Sequence, residues 1–340
     1  MLYIFNFFLF FLASFSNKKC HKVLFFIFVV YLICFGGFRA DTIGVDTAIG
    51  YKTYWNLYLK EISLPYVEPA WIFLMFLCNK LNLGYQGLIF ITELLCVIPI
   101  SYVILKKENI NIILSLAIYY GMFFYLHSFN LIRQSIAMSF CLLFAYFLYE
   151  KKYYKAIVSF ILAFLMHKSA VIFLVAIFFN KLFLTKTKII FLCFITFCAG
   201  FLFSKKFFIM LAGPYAGYLT NSEFGFRDMS MTLILLSVLM NIFLISYIVI
   251  GSRKNLSSFW LKILVLGMAS MNLTMTLELG TRLVLYFTQA QIIFYSEYFN
   301  KKRYDKNFLF FILIFYFFIN FIKILLGQWD SLTPYIPFFL

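Results

Sequence analysis

Apolar runs long enough to enter a bilayer recur along this chain, separated by short basic stretches. No other feature limits its fold so strongly. A run of roughly 20 residues matches a hydrocarbon core about 30 Å thick. Backbone polar groups in lipid have no water to bond, so such runs must form helices. Membrane segments are expected near 1–16, 23–38, 88–105, 110–126, 131–149, 156–166, 168–180, 189–203, 231–251, 256–276, 284–299 and 308–326. A chain that is 64% hydrophobic and 12% charged is not an ordinary soluble domain. The expected fold class is an all-α polytopic membrane protein of about 12 segments, one integral domain over residues 1–340. The first 16 residues lack a basic n-region and a clear cleavage site. They read as a retained helix, not a signal peptide.

A net charge of +16 raises the question of nucleic acid. Its placement answers it. The loops 17–22, 106–109, 150–155, 181–188, 252–255 and 300–306 alternate to one side and hold 17 of the 29 Lys and Arg. Basic loops of this kind stay cytoplasmic. The excess is therefore a topology signal, and no nucleic-acid partner is expected. Lys19, Lys107, Lys152 and Lys254 fall inside, and Asp46, Glu68, His167 and Tyr215 outside.

Two places strain a simple count. A full crossing at Pro69–Leu81 would put Lys106 and Lys107 outside, so it reads as a partial helix on the outer face, with Pro69 in the first helical position. The run 156–166 is too short to cross alone and is flanked by basic loops. Residues 156–180 therefore read as a helical hairpin with His167 at its outward tip. A short helix must be shielded by protein or line a wet cavity. The outer loops are then 39–86, 126–130, 204–230, 277–281 and 327–340.

With that orientation, Arg39, Asp41, Asp46, Glu68, His127, Arg133, His167, Arg227, Asp228, Glu278 and Arg282 all lie at or near one face. Solvated loop charge explains any one of them. Their recurrence at helix ends points to a cleft. Arg133 sits one turn inside an apolar run, where it either snorkels to the interface or serves a function. Asn130 and Gln134 lie within a turn of it and can hold it. Guanidinium groups suit phosphate, which they bind through parallel hydrogen bonds. A carboxylate or histidine nearby suits general-base work on a hydroxyl. Asp46 is the favoured base, because Glu68 before Pro69 has a competing role as a helix cap. No Walker A motif, zinc spacing or D-x-D motif appears, and the seven cysteines form no C-x-x-C pair. No cofactor or metal is expected.

Four motifs occur in order. They are Phe38-Arg39-Ala40-Asp41-Thr42-Ile43-Gly44-Val45-Asp46-Thr47 followed by Tyr51, Glu68-Pro69-Ala70-Trp71, Ile132-Arg133-Gln134-Ser135-Ile136-Ala137, and His167-Lys168-Ser169-Ala170. A weaker one joins Arg282 to Tyr286-Phe287. Together they resemble the EpsG-like polysaccharide polymerases, which are similar to the Wzy O-antigen polymerases. The resemblance is firm over residues 1–180 and loose over 181–326. It implies a transferase that joins polyprenyl-diphosphate-linked oligosaccharide repeats at the outer face of the inner membrane. Asp46, Glu68 and His167 would be catalytic, Arg133, Arg39 and Arg282 would bind the diphosphate, and Asn130, Gln134 and Asp41 would support them. The implied partners are the donor and acceptor lipids, membrane lipid and a chain-length regulator. Two other classes compete. A flippase or transporter predicts charges along a midplane path and inverted repeats. An acyltransferase would rest on His127 or His167.

Overall fold

The computed structural model describes residues 1–202, 210, 231–250, 258–275, 278–300, 306–326 and 332–339. Their helices are α1 (Leu2–Ala13), α2 (His21–Gly37), α3 (Lys52–Leu59), α4 (Pro69–Lys80), α5 (Gly84–Lys106), α6 (Ile112–Gly121), α7 (Ile132–Tyr149) and α8 (Tyr153–Met166). Then come α9 (Val175–Asn180), α10 (Lys186–Leu202), α11 (Met231–Ile250), α12 (Phe259–Leu273), α13 (Glu278–Thr288), α14 (Gln291–Asn300) and α15 (Lys306–Leu326). Among the described residues there is no strand. Outward aromatics such as Phe73, Phe178 and Phe311 leave the helices apolar on their exposed faces as well as their buried ones, as lipid requires. By length and composition, residues 18–37 with α2, and α5 and α7, can each cross a membrane.

Two of the other apolar segments do not run as the single helices the sequence suggests. The segment 110–126 ends as a helix at Gly121, because Phe123 has a φ of 68° and turns the chain. That turn is pinned where the Tyr125 hydroxyl donates to Leu32 O at 2.7 Å. The segment 284–299 is two helices, α13 and α14. At the break, Ala290 N–H bonds back to Phe287 O at 3.1 Å, and the Gln289 side chain donates to Tyr286 O at 3.1 Å. A long amide side chain thus competes with the helical ladder. The partial helix before Lys80 forms as expected, with Pro69 at its start.

The helices gather into two compact units. The first comprises Met1–Val171 with Tyr295–Leu340, and the second Ile172–Phe294. In the first unit the basic loops meet at one end. Lys18 donates to Asn300 Oδ1 at 3.1 Å, Lys107 lies 3.6 Å from Glu297, and Asn111 donates to Ser14 O at 3.0 Å. At the opposite end Tyr3 donates to Leu332 O, and Tyr335 stacks on Phe35 with centroids 4.3 Å apart. Between them α5 carries Pro99, which has no N–H for Leu95 O. The Ser139 hydroxyl of α7 donates to that carbonyl instead, at 2.9 Å. In the second unit Asn272 of α12 donates to Cys193 O and Thr196 Oγ1 of α10, each at 3.1 Å. It accepts from Ser237 and Asn241 of α11, each at 2.7 Å. Shared polar bonds of this kind join helices where lipid cannot.

Candidate functional site

Two arginine–carboxylate clusters occupy one end of the first unit. The first is centred on Glu68. Its backbone is extended and leads into Pro69, and its side chain makes no capping bond to α4. One carboxylate oxygen accepts from Arg133 Nη1, and the other lies 2.9 Å from His167 Nδ1. The expected capping role is thus replaced by a bridge between a guanidinium and an imidazole. Three local structures bring these groups together. Arg133 stands in the first turn of α7, whose backbone N–H at that residue meets the Tyr51 hydroxyl at 3.4 Å. His167 is extended and ends α8, its N–H bonded to Ala163 O. Glu68 is placed by Pro69, whose fixed φ starts α4.

The Arg133 guanidinium also lies 5.5 Å from the ring centroids of both Tyr51 and Tyr54, in cation–π range. Tyr51 in turn packs on Trp71 at 4.9 Å. Side-chain exposure rises from 7% at Glu68 through 18% at Arg133 to 29% at His167, so the imidazole is the most open member. Burial pushes the Glu68 carboxyl up, but the His167 hydrogen bond and the Arg133 charge outweigh it and hold the pKa below the ordinary value. Burial raises the Tyr51 phenol against the opposing Arg133 charge, so it stays neutral. Arg133 Nε and Trp71 Nε1 are buried donors with no acceptor. A guanidinium with a spare donor beside a bridged histidine can take an anion and hold a proton acceptor near it.

The second cluster is sealed. Arg39 and Glu93 are both 0% exposed and 2.6 Å apart. Arg39 also donates to Gly36 O at 2.6 Å and lies 4.4 Å from the Phe129 ring centroid. The Ser128 hydroxyl is 3.0 and 3.1 Å from the two Glu93 oxygens. A Cβ at Gly36 would sit 2.6 Å from the Glu93 carboxyl carbon, so glycine admits this approach.

The remaining candidates are dispersed. Asp46 opens a short π-helical turn, Asp46–Tyr51, and its backbone N–H donates to Asn130 Oδ1 at 2.7 Å. Asn130 thereby ties the Asp46 loop to the start of α7. Gln134 is buried in the first turn of α7. Asp41 pairs with Lys52 at the surface. Arg282 is exposed on α13 of the second unit. Arg227, Asp228, Tyr215 and Lys254 lie outside the described residues. Among the described residues no cluster of His, Cys, Asp and Glu could hold a metal. Glu93, Ser128 and Tyr54 escape a sequence reading. A lone carboxylate inside the 23 residues of α5 was the available signal, since a charge there needs a partner.

No curated protein matches the chain, and no solved structure does. The model of the EpsG family matches residues 22–336. That match takes in all four ordered motifs and both clusters. The chain is a membrane protein of polysaccharide biosynthesis, and it belongs to the EpsG family.

Proposed function

We propose that this protein is an oligosaccharide repeat-unit polymerase, a glycosyltransferase acting at the outer face of the bacterial inner membrane. The donor is a glycan on polyprenyl diphosphate, and the acceptor is a second lipid-linked repeat. The acceptor hydroxyl oxygen attacks the donor's anomeric carbon. The carbon–oxygen bond to diphosphate breaks, and polyprenyl diphosphate leaves with the bonding pair. His167 takes the hydroxyl proton on Nε2, while Glu68 holds Nδ1 and stabilises the imidazolium. Arg133 meets the charge growing on the leaving diphosphate with the part of its fork that Glu68 does not use. This reading moves the base from Asp46 to His167 and gives Arg39 a structural role.

The observation that carries the proposal is the shared carboxylate: one side chain fixes both a guanidinium with an unpartnered donor and a half-open imidazole. A lipid-linked substrate also fits the helix below. Phe140 and Phe147 follow Arg133 by about two and four turns on the same face of α7. They line an apolar groove with Ile98, Pro99 and Tyr102, suited to an isoprenoid chain. Charges gathered at one end support a transferase over a flippase, which needs them along a midplane path.

Glycan analysis of a deletion strain tests the proposal. One repeat per lipid anchor is expected. Wild-type protein should restore long chains, and Glu68→Gln and His167→Ala should not, at normal membrane levels. Long chains lacking only an acyl group would instead identify an acyltransferase, and repeats trapped on the inner leaflet a flippase.

A further inference from the structure

The Arg39–Glu93 pair lies outside the triad, but the segment it grips leads straight into it. Ser128 is held through both its hydroxyl, against Glu93, and its carbonyl, which accepts from Arg39 Nη2 at 3.4 Å. The next residue, Phe129, carries the ring under the Arg39 guanidinium. Its carbonyl accepts from Thr47 Oγ1 at 2.6 Å. Gly44, at φ +90°, passes so close that a Cβ there would fall 1.9 Å from that same carbonyl oxygen. Asn130 then takes the Asp46 N–H, and Arg133 follows one turn later. Three consecutive residues thus connect the buried pair to the 44–47 loop on one side and to the start of α7 on the other. Gln86 fixes the pair's own backbone, donating to Gly37 O at 2.8 Å and Arg39 O at 3.0 Å.

We propose that Glu93 and Arg39 are positioning residues for the transferase site: a sealed ion pair that sets the 128–130 turn, and through it the Asp46 loop and the Arg133 guanidinium. The proposal rests on the function proposed above for its catalytic consequence. The geometry favours positioning over packing. An apolar pair of equal volume would fill the space equally well, yet it could not grip Ser128 from both sides. Ion pairs buried this deeply are a poor route to stability, so fixing one arrangement of the turn is the better account of why the charges are there.

The test uses full-length protein in lipid nanodiscs, with native cysteines replaced and a nitroxide label at Ile49→Cys, exposed on the turn that begins with Asp46. Two changes are compared. The double variant Arg39→Met/Glu93→Leu removes both charges together, and Ser128→Ala removes the hydroxyl shared between Glu93 and Tyr125 O, 2.7 Å away, while leaving the pair intact. In the double variant the label should become more mobile. kcat should fall by about tenfold to a hundredfold, with KM for the lipid-linked repeat changed by less than about threefold. Ser128→Ala should shift both readouts the same way and less far, at normal protein level. It decides the question if the double variant does not fold. A rigid label with wild-type kcat in Ser128→Ala, or in a folded double variant, would overturn the proposal. If wild-type protein polymerises nothing, the function reading fails, and the label alone decides whether the pair positions the turn.

Discussion

Two arginine–glutamate pairs stand at one end of the same helical unit, and they are opposites. Around Arg39 and Glu93 a backbone carbonyl, a serine and an aromatic face close in and leave no exposed surface, although Arg39 Nε has no acceptor. Around Arg133 and Glu68 the surroundings are incomplete. There too a guanidinium nitrogen lacks an acceptor, but a histidine shares the carboxylate and the imidazole reaches solvent. Identical charges therefore do different work, decided by what else surrounds them. A pair sealed from solvent can only hold structure. One that opens to solvent can receive a ligand.

Glu93→Ala should give the largest effect. It strands the Arg39 charge where water cannot reach it, which costs about 3–5 kcal/mol. Thermal unfolding in detergent should show that loss, or the protein should fail to accumulate. Glu68→Ala leaves Arg133 within reach of water and should cost far less stability while removing activity. Equal destabilisation by the two would erase the distinction between the clusters.

Arginine-to-lysine changes sharpen the contrast. Arg133→Lys keeps a charge but loses the planar fork, and loss of one preorganised donor typically costs about 2.7–4 kcal/mol, or roughly 10²–10³ in rate. Membrane insertion should be normal, and single lipid-linked repeats should accumulate. Arg39→Lys should show up in protein level first. Full-length ladders from the Arg133→Lys strain would return Arg133 to an interface anchor.

The smallest effect concerns acid. Since the Glu68 pKa is depressed on folding, its ionised form stabilises the fold. That contribution is full above the ordinary carboxylate value of about 4.3 and declines below it. It is gone once pH has dropped through the folded value. The difference in unfolding free energy between wild type and Glu68→Gln, followed downward in pH, should stay constant to about pH 4.3, shrink below it and level off once the folded value is passed. A difference that grows on acidification would contradict it.

The helices that position the site were legible wherever local chemistry decides them. Pro69 announces α4, and the apolar run after Ile132 announces α7 with Arg133 in its first turn. The four motifs also marked the residues that converge on Glu68. What they could not give was the partnership. Glu68 before a proline reads as a cap, and only the fold reveals that Arg133, 65 residues on, and His167, 99 residues on, take the carboxylate instead. Arg39 fails in the other direction. In sequence it looks like Arg133, a cation at a helix end, because its partner Glu93 is one residue hidden in an apolar helix. The break at Gln289 was hidden too, since a buried amide interrupts no hydropathy profile.

The contacts between the beginning and the end of the chain carry a consequence for biogenesis. Ala40 N–H bonds to Ile336 O, Phe338 N–H to Phe38 O, and the Tyr3 hydroxyl to Leu332 O. The loop that begins at Arg39 is therefore closed by residues the ribosome adds almost 300 positions later. Helices α1 and α2 are made early, but the loop beside them is tied down only when residues 332–338 have been added. The backbone beside Arg39 is locked by residues 332–338 long after its partner Glu93 has been made.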